Sequence, residues 1–207
     1  MRAIMIPADL SSGIPEGQNK RGGVGGSGAG GIIAADAGIR QGAAHGIGAA
    51  IAQRFAEEGA ILVLLDMDGP GLEKTAAEIR RNDRSVTTIV ADVTEEKPVE
   101  DAFARIASEF GRLDVLVNDV GGARNAKLWQ MSLADWQFVL DVNLTGQFLC
   151  SREAIREFKR RGIRKEVSCA AGKIICMSSV HEFIPWAGHV NYAGSKGGIK
   201  LMMQSIA

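Results

Sequence analysis

Aromatic side chains are scarce in this chain, with seven Phe, three Trp and one Tyr among 207 residues. That leaves no run of stacking platforms for single-stranded nucleic acid. Charge of one sign is missing as well. The 24 basic and 24 acidic side chains cancel, which argues against a polyanion or an anionic membrane surface as partner. Cysteine is limited to Cys150, Cys169 and Cys176, which form no Cys-x-x-Cys pair. An odd number does not build a disulfide framework, so the expected setting is reducing and cytoplasmic, with Cys150 and Cys176 as buried thiols. No apolar run reaches membrane-spanning length, and Met1 to Leu10 holds Arg2, Pro7 and Asp9 where a signal peptide would have an apolar core. No metal-ligating constellation stands out. What remains is 46% apolar and 23% charged, the balance of an ordinary globular domain.

Glycine is abundant and uneven. Of 26 glycines, thirteen lie between Gly13 and Gly48. Residues 11–31 are rich in Gly, Ser, Asn and Lys without a period and read as flexible linker. The expected division is a flexible segment 1–36 followed by a single domain 37–207. Two Gly-x-Gly-x-x-Gly matches in the linker, Gly23/Gly25/Gly28 and Gly26/Gly28/Gly31, follow no strand and read as chance. Gly42-Ala43-Ala44-His45-Gly46-Ile47-Gly48 differs because an amphipathic helix opens there, with Ile47, Ile51 and Phe55 every fourth residue until Gly59. Ile61 to Leu65 is then a short apolar run ending at Asp66, the pattern of a strand buried on both faces. Glycines at a helix start let backbone approach a pyrophosphate. Asp66, 18 residues beyond Gly48, stands near the ~20-residue spacing of a carboxylate that meets an adenosine ribose. A carboxylate there with no adjacent Arg or Lys favours NAD, with NADP as the alternative and His45 softening the preference.

The alternation continues. A helix runs through Leu72, Ala76 and Ile79, a strand over Val86–Val93, and a helix through Val99, Phe103, Ile106 and Phe110. Next come a strand at Val115–Val117, a long helix from Leu133 to Phe158 behind Ser132 as cap, a strand at Ile174–Met177, and a helix carrying Ile199, Met202, Met203 and Ile206. Strands alternating with helices predict an α/β fold, a doubly wound parallel sheet of Rossmann type. In the last helix Tyr192 and Lys196 stand four residues apart on one face. A cation beside a phenol favours phenolate, and the pair is a candidate general acid/base for alcohol–carbonyl interconversion.

Gly42-x-x-x-Gly46-Ile47-Gly48, Asp92-Val93, Asn118-Asp119-Val120-Gly121, Asn143, Ser178-Ser179 and Tyr192-x-x-x-Lys196 together resemble the short-chain dehydrogenase/reductase family over residues 42–207. The stretches Met131–Trp136, Ser178–Trp186 and Ser195–Met202 are similar to its glucose 1-dehydrogenase-like branch. The resemblance implies that Tyr192 exchanges the proton, that Lys196 assists it and holds the nicotinamide ribose, and that Ser179 bonds the substrate oxygen. It implies that Asn143 anchors a relay water, that Asp92 and Val93 border the adenine, and that Asn118 and Gly121 floor the cofactor. His181, Glu182 and Trp186 would line the substrate pocket. A small-molecule alcohol or carbonyl substrate and a homo-oligomer, dimer or tetramer, are implied in the same way. A 3-oxoacyl carrier-protein reductase and an inactive dinucleotide-binding or subunit-interaction fragment are the competing readings.

Three departures from the family pattern stand out. Gln41 occupies the usual Thr position, and the residues from Ala34 to Gln41 include Asp36 and Arg40 where the family has an apolar first strand. Asp119 replaces the second Asn of Asn-Asn-Ala-Gly. The family continues through two more strands past the helix that contains Ala207, so the expectation is a truncated sheet, incomplete at its C-terminal edge.

Overall fold

A computed structural model describes residues 32–36, 43–44, 46–163, 165 and 169–207, with 32–36 described by its backbone. The linker, with its two glycine matches, and residues Arg40, Gln41, Gly42 and His45 lie outside the described residues.

Five parallel strands form one sheet in the order β3-β2-β1-β4-β5. They are β1 (Ile32–Asp36), β2 (Ile61–Asp66), β3 (Val86–Val90), β4 (Val115–Asn118) and β5 (Lys173–Cys176). Helices α1 (Gly46–Glu57) and α2 (Gly69–Arg80) make the first two crossovers, and α3 (Glu96–Phe110) carries the chain from one side of β1 to the other. The next crossover contains α4 (Leu133–Leu140) and α5 (Gly146–Arg161), joined without a break by a π-helical turn at Asp141–Thr145. The last helix, α6, spans Val190–Ile206. The chain winds outward from β1 in both directions, so the strand order reverses between β1 and β4. In such sheets ligands bind outside the carboxyl ends of the strands at that point.

The strand sequences explain the two-layer core. Leu62, Val63 and Leu64 are fully buried and Leu65 is 1% exposed, because successive side chains face opposite layers. Val63 and Leu65 pack with Phe103, Ile106, Leu116 and Phe158 on the α3–α5–α6 side. Leu62 and Leu64 pack with Ala52, Leu72, Ala76 and Ile79 on the α1–α2 side. Each such side chain contributes about 1.5–3 kcal/mol of burial, and an apolar run without alternation is what a doubly covered strand requires.

The first strand departs from the sequence reading. It lies before position 37, inside the stretch expected to be flexible, and pairs with both β2 and β4. The strand is described over Ile32–Asp36, with Asp36 opposite Asn118. β3 is shorter than expected, ending at Val90, because Asp92 makes a local turn. Its carboxylate accepts from the Thr94 N–H at 2.9 Å and the Thr94 hydroxyl at 2.7 Å.

Candidate active site

The sequence-predicted residues gather at the carboxyl edge of the sheet. Asp66 ends β2, Asp92 and Val93 follow β3, Asn118 ends β4 with Gly121 just beyond, and Ser179 follows β5. Gly46 opens α1 at φ 63°, with no atom within 4 Å of where a Cβ would sit. The left-handed backbone there is easy only for glycine. The first turn of α1 carries no acidic residue of its own, and the carboxylate that meets its positive end is Asp119, which accepts from the Gly48 N–H. Gly46 and Ile47 are exposed and Gly48 is buried.

Asp66 is 3% exposed and accepts backbone N–H groups from Ala44 at 3.4 Å and Asp68 at 2.9 Å. Burial pushes its carboxyl above the usual range, and those two amides pull it back. The carboxylate thereby ties the turn before α1 to the end of β2. Asn118 is fully buried, and its Nδ2 donates to Ser151 Oγ at 3.0 Å and Cys176 Sγ at 3.4 Å. Its Oδ1 is buried with no hydrogen-bond partner. Val93 is buried, and its side chain comes within 3.0 Å of where a Cβ on Gly146 would stand.

Asp119 faces inward at the same edge. Burial pushes its carboxyl up to about 6, opposed by the Lys196 ammonium and the Gly48 N–H at the start of α1. Lys196 is 4% exposed, its Nζ donates to the Met177 carbonyl at 2.8 Å, and burial lowers its ammonium to about 8 against the pull of Asp119, Cys176 and Glu182. That Nζ lies 5.6 Å from the centre of the Tyr192 ring. A Cβ on Gly121 would stand 3.9 Å from it and 3.8 Å from Asn143 Oδ1, at ordinary contact distance.

Asn143 sits in the π-helical turn, fully buried. Its Oδ1 accepts from Gly122 N–H at 2.7 Å, and its Nδ2 donates to Gly122 O at 3.0 Å and Ser195 Oγ at 2.9 Å. The side chain is thus committed to the loop after β4 and to α6. π-turns of this kind are frequent at functional sites.

On the outer side, Ser179 caps a short 3₁₀ turn, Val180–Glu182, by accepting from the His181 N–H at 3.2 Å. His181 and Trp186 flank Tyr192 edge-on, with ring centres 6.3 and 6.4 Å away. Trp186 also stacks on His181 at 4.4 Å and on His189 at 3.4 Å. Glu182 accepts from the Ser178 hydroxyl and so faces back into the protein. Sequence reasoning did not single out His189, Asn191 or Ser195. Polar residues beside Tyr192 and Lys196 in a helix otherwise read for its apolar face were the available signal. A groove lined by Gln53, Glu57, Glu78 and Arg84 lies at the opposite end of the helices α1 and α2 and contains none of these residues.

The profile described as short chain dehydrogenase matches residues 39–207. The chain belongs to that family. It is 37% identical over 171 residues to Glucose 1-dehydrogenase 2 of Bacillus subtilis, an alignment covering 82% of this chain and 64% of that protein. It is 35% identical over 167 residues to 3beta-hydroxysteroid dehydrogenase 1 of Eggerthella lenta, covering 80% and 61%. A crystal structure of a short chain dehydrogenase from Mycobacterium smegmatis superposes with a TM-score of 0.76 at 29% identity, covering 86% of this chain and 70% of that one. The chain therefore spans a little over three fifths of the length of these two curated relatives. Among the described residues no group of three or more His, Cys, Asp or Glu is placed to hold a metal ion, and no helix is long and apolar enough to cross a membrane.

Proposed function

We propose that this dehydrogenase-family chain is an oxidoreductase that interconverts a secondary alcohol, of the sugar or polyol class, and its carbonyl with a nicotinamide dinucleotide. The observation that carries the reading is the buried Lys196 ammonium beside the ring of Tyr192, the only tyrosine in the chain. The residues at the sheet edge fit a dinucleotide. They comprise a helix start with Gly46 at positive φ, a carboxylate at the end of β2 and Gly121 set against Asn143 and Lys196.

In this reading Gly46 and Ile47 present the α1 amides to the diphosphate beside Gly48, whose N–H goes to Asp119, with Gly42 and His45 completing the loop. Asp66, followed by Met67 and Asp68 with no cation, selects the ribose hydroxyls of NAD over the 2′-phosphate of NADP. Asp92 and Val93 border the adenine, and Asn118 and Gly121 lie beneath the cofactor. When bound, the nicotinamide supplies the hydride chemistry. Tyr192 gives or takes the proton at the substrate oxygen, Lys196 stabilises the phenolate form, and Ser179 donates to the oxygen as charge develops. Asn143 holds the loop and helix that frame the relay to solvent. His181 and Trp186 form the wall met by the substrate's apolar face. A glucose dehydrogenase and a hydroxysteroid dehydrogenase both rank among the relatives, so the wall, rather than the acid–base pair, sets the substrate.

NAD- and NADP-linked turnover across sugars, polyols, steroids and acyl thioesters tests this, with Tyr192→Phe as control. The expected result is turnover on a sugar or polyol, reduced about 10²–10⁴-fold by Tyr192→Phe. Turnover untouched by that substitution overturns the mechanism.

A further inference from the structure

Tyr192 is the third residue of α6, in the turn where helix N–H groups lack intrahelical partners and where helices fray. The residue before the helix, His189, makes no side-chain cap bond. The Tyr192 N–H is taken instead by its neighbour, donating to Asn191 Oδ1 at 2.8 Å. Asn191 is fully buried, and its Nδ2 reaches away from α6, donating to the Arg124 carbonyl at 2.9 Å and the Asp135 carbonyl at 3.3 Å. Those two acceptors belong to one braced unit. The Arg124 guanidinium pairs with the Asp135 carboxylate at 2.9 Å and lies 3.7 Å over the Phe138 ring. The same loop bonds the approach to α6 through Ala126 N–H to Gly188 O at 3.0 Å. On the other side of Tyr192, its carbonyl accepts from Ser195 Oγ at 2.7 Å, and Ser195 Oγ accepts from Asn143.

We infer that Asn191 is a positioning residue for Tyr192, fixing the phenol by tying the first turn of α6 to the Arg124–Asp135 brace. The inference rests on the reading of Tyr192 as the acid–base group. All the polar atoms of the Asn191 side chain are spent on this clasp, and none is directed to the crevice. Its effect therefore reaches the chemistry only through Tyr192. A phenol at the end of an unclasped turn samples several positions, and a displacement of about 1 Å is enough to cost about 10²-fold in rate.

Asn191→Ser is the variant of choice, because its hydroxyl still accepts from the Tyr192 N–H while the bonds to Arg124 and Asp135 are lost. Since the chain has one tyrosine, protein labelled with [¹³Cζ]tyrosine gives a single resonance that reports on Tyr192 alone. The expected result in Asn191→Ser is a shifted or broadened tyrosine resonance. NADH affinity by fluorescence stays within about twofold, and kcat falls about tenfold or more with KM little changed. An unchanged tyrosine resonance, or a loss of NADH affinity as large as the loss in kcat, overturns the inference. Tyr192→Phe separates this from failure of the underlying mechanism. Full turnover in Tyr192→Phe removes the acid–base role, whereas a dead Tyr192→Phe beside an unperturbed Asn191→Ser removes only the positioning role.

Discussion

The two halves of the crevice handle buried polarity in opposite ways. Around α6, beside the buried Lys196 ammonium, the buried amides and hydroxyl are neutral and satisfied: Asn143, Asn191 and Ser195 are fully buried, and each bonds at least two partners. Around the start of α1 stand two carboxylates, buried Asp66 and half-buried Asp119, and desolvation raises both. A neutral amide network is inexpensive to bury once satisfied and fixes geometry. A desolvated carboxylate is held at a free-energy cost that a hydroxyl, an amide or a proton can relieve. The first half is built to hold a side chain still, the second to respond to what binds.

Four substitutions probe that contrast. The largest effect is expected from Asn143→Ala, which removes three hydrogen bonds and leaves both polar groups of Gly122 unpaired in a protected site. The cost is about 2–5 kcal/mol in urea unfolding. A loss below about 1 kcal/mol would mean that the neutral network is not what holds the loop after β4 against α6.

Asp119→Asn comes next and has the opposite sign. The folded value of about 6 lies above the ordinary 3.8, so between those pH values the folded state holds a proton that the unfolded chain has released. Stability therefore falls as pH rises through that window and remains lower above it. Removing the charge raises stability at neutral pH by about 1–2 kcal/mol, discounted for the partial exposure of the group. The gain shrinks as pH approaches 4. Thermal melts across that range check it, and a uniform loss of stability would contradict it. The same substitution tightens NADH binding at neutral pH, since the carboxylate lies at the helix end that the diphosphate would approach.

Asp66→Asn has a smaller effect on stability, because its desolvation and its two backbone hydrogen bonds oppose each other. Its readout is selectivity: if Asp66 meets the adenosine ribose as proposed, the ratio of NADH to NADPH affinity falls about tenfold in paired titrations. The smallest effect belongs to Arg54→Ala. Arg54 is 69% exposed and paired with Glu57 and Glu58 on its own helix, so no resolvable change in Tm or NADH affinity is expected.

The sequence made the alternation legible because fully buried strands such as Ile61–Leu65 are continuous apolar runs and the helices keep a clear period. It misled at β1, where the eye is drawn to the residues next to Gly42 and away from Ile32–Ala35, which the sheet recruits. It also read α4 to α5 as one uniform helix, since a π-turn adds a residue without disturbing apolar spacing. At the site, the spacing of Tyr192 and Lys196 puts them on one face of a helix, and the family resemblance supplied their proposed roles. Asn191 and Ser195 are not legible, because their partners at Arg124, Asp135 and Asn143 lie between 52 and 67 residues away in the chain, and no local pattern announces a buried amide. Asn118 illustrates the converse. Its motif is recognisable, yet its Nδ2 is spent bonding Ser151 and Cys176 within the protein while its Oδ1 has no partner.

The most direct test of the central claim is an NADH titration of the [¹³Cζ]tyrosine-labelled chain. If the crevice between α1 and α6 is the dinucleotide site, the single tyrosine resonance moves saturably, with the same dissociation constant as NADH fluorescence. Fluorescence-detected binding that leaves that resonance unmoved at saturation would contradict the account.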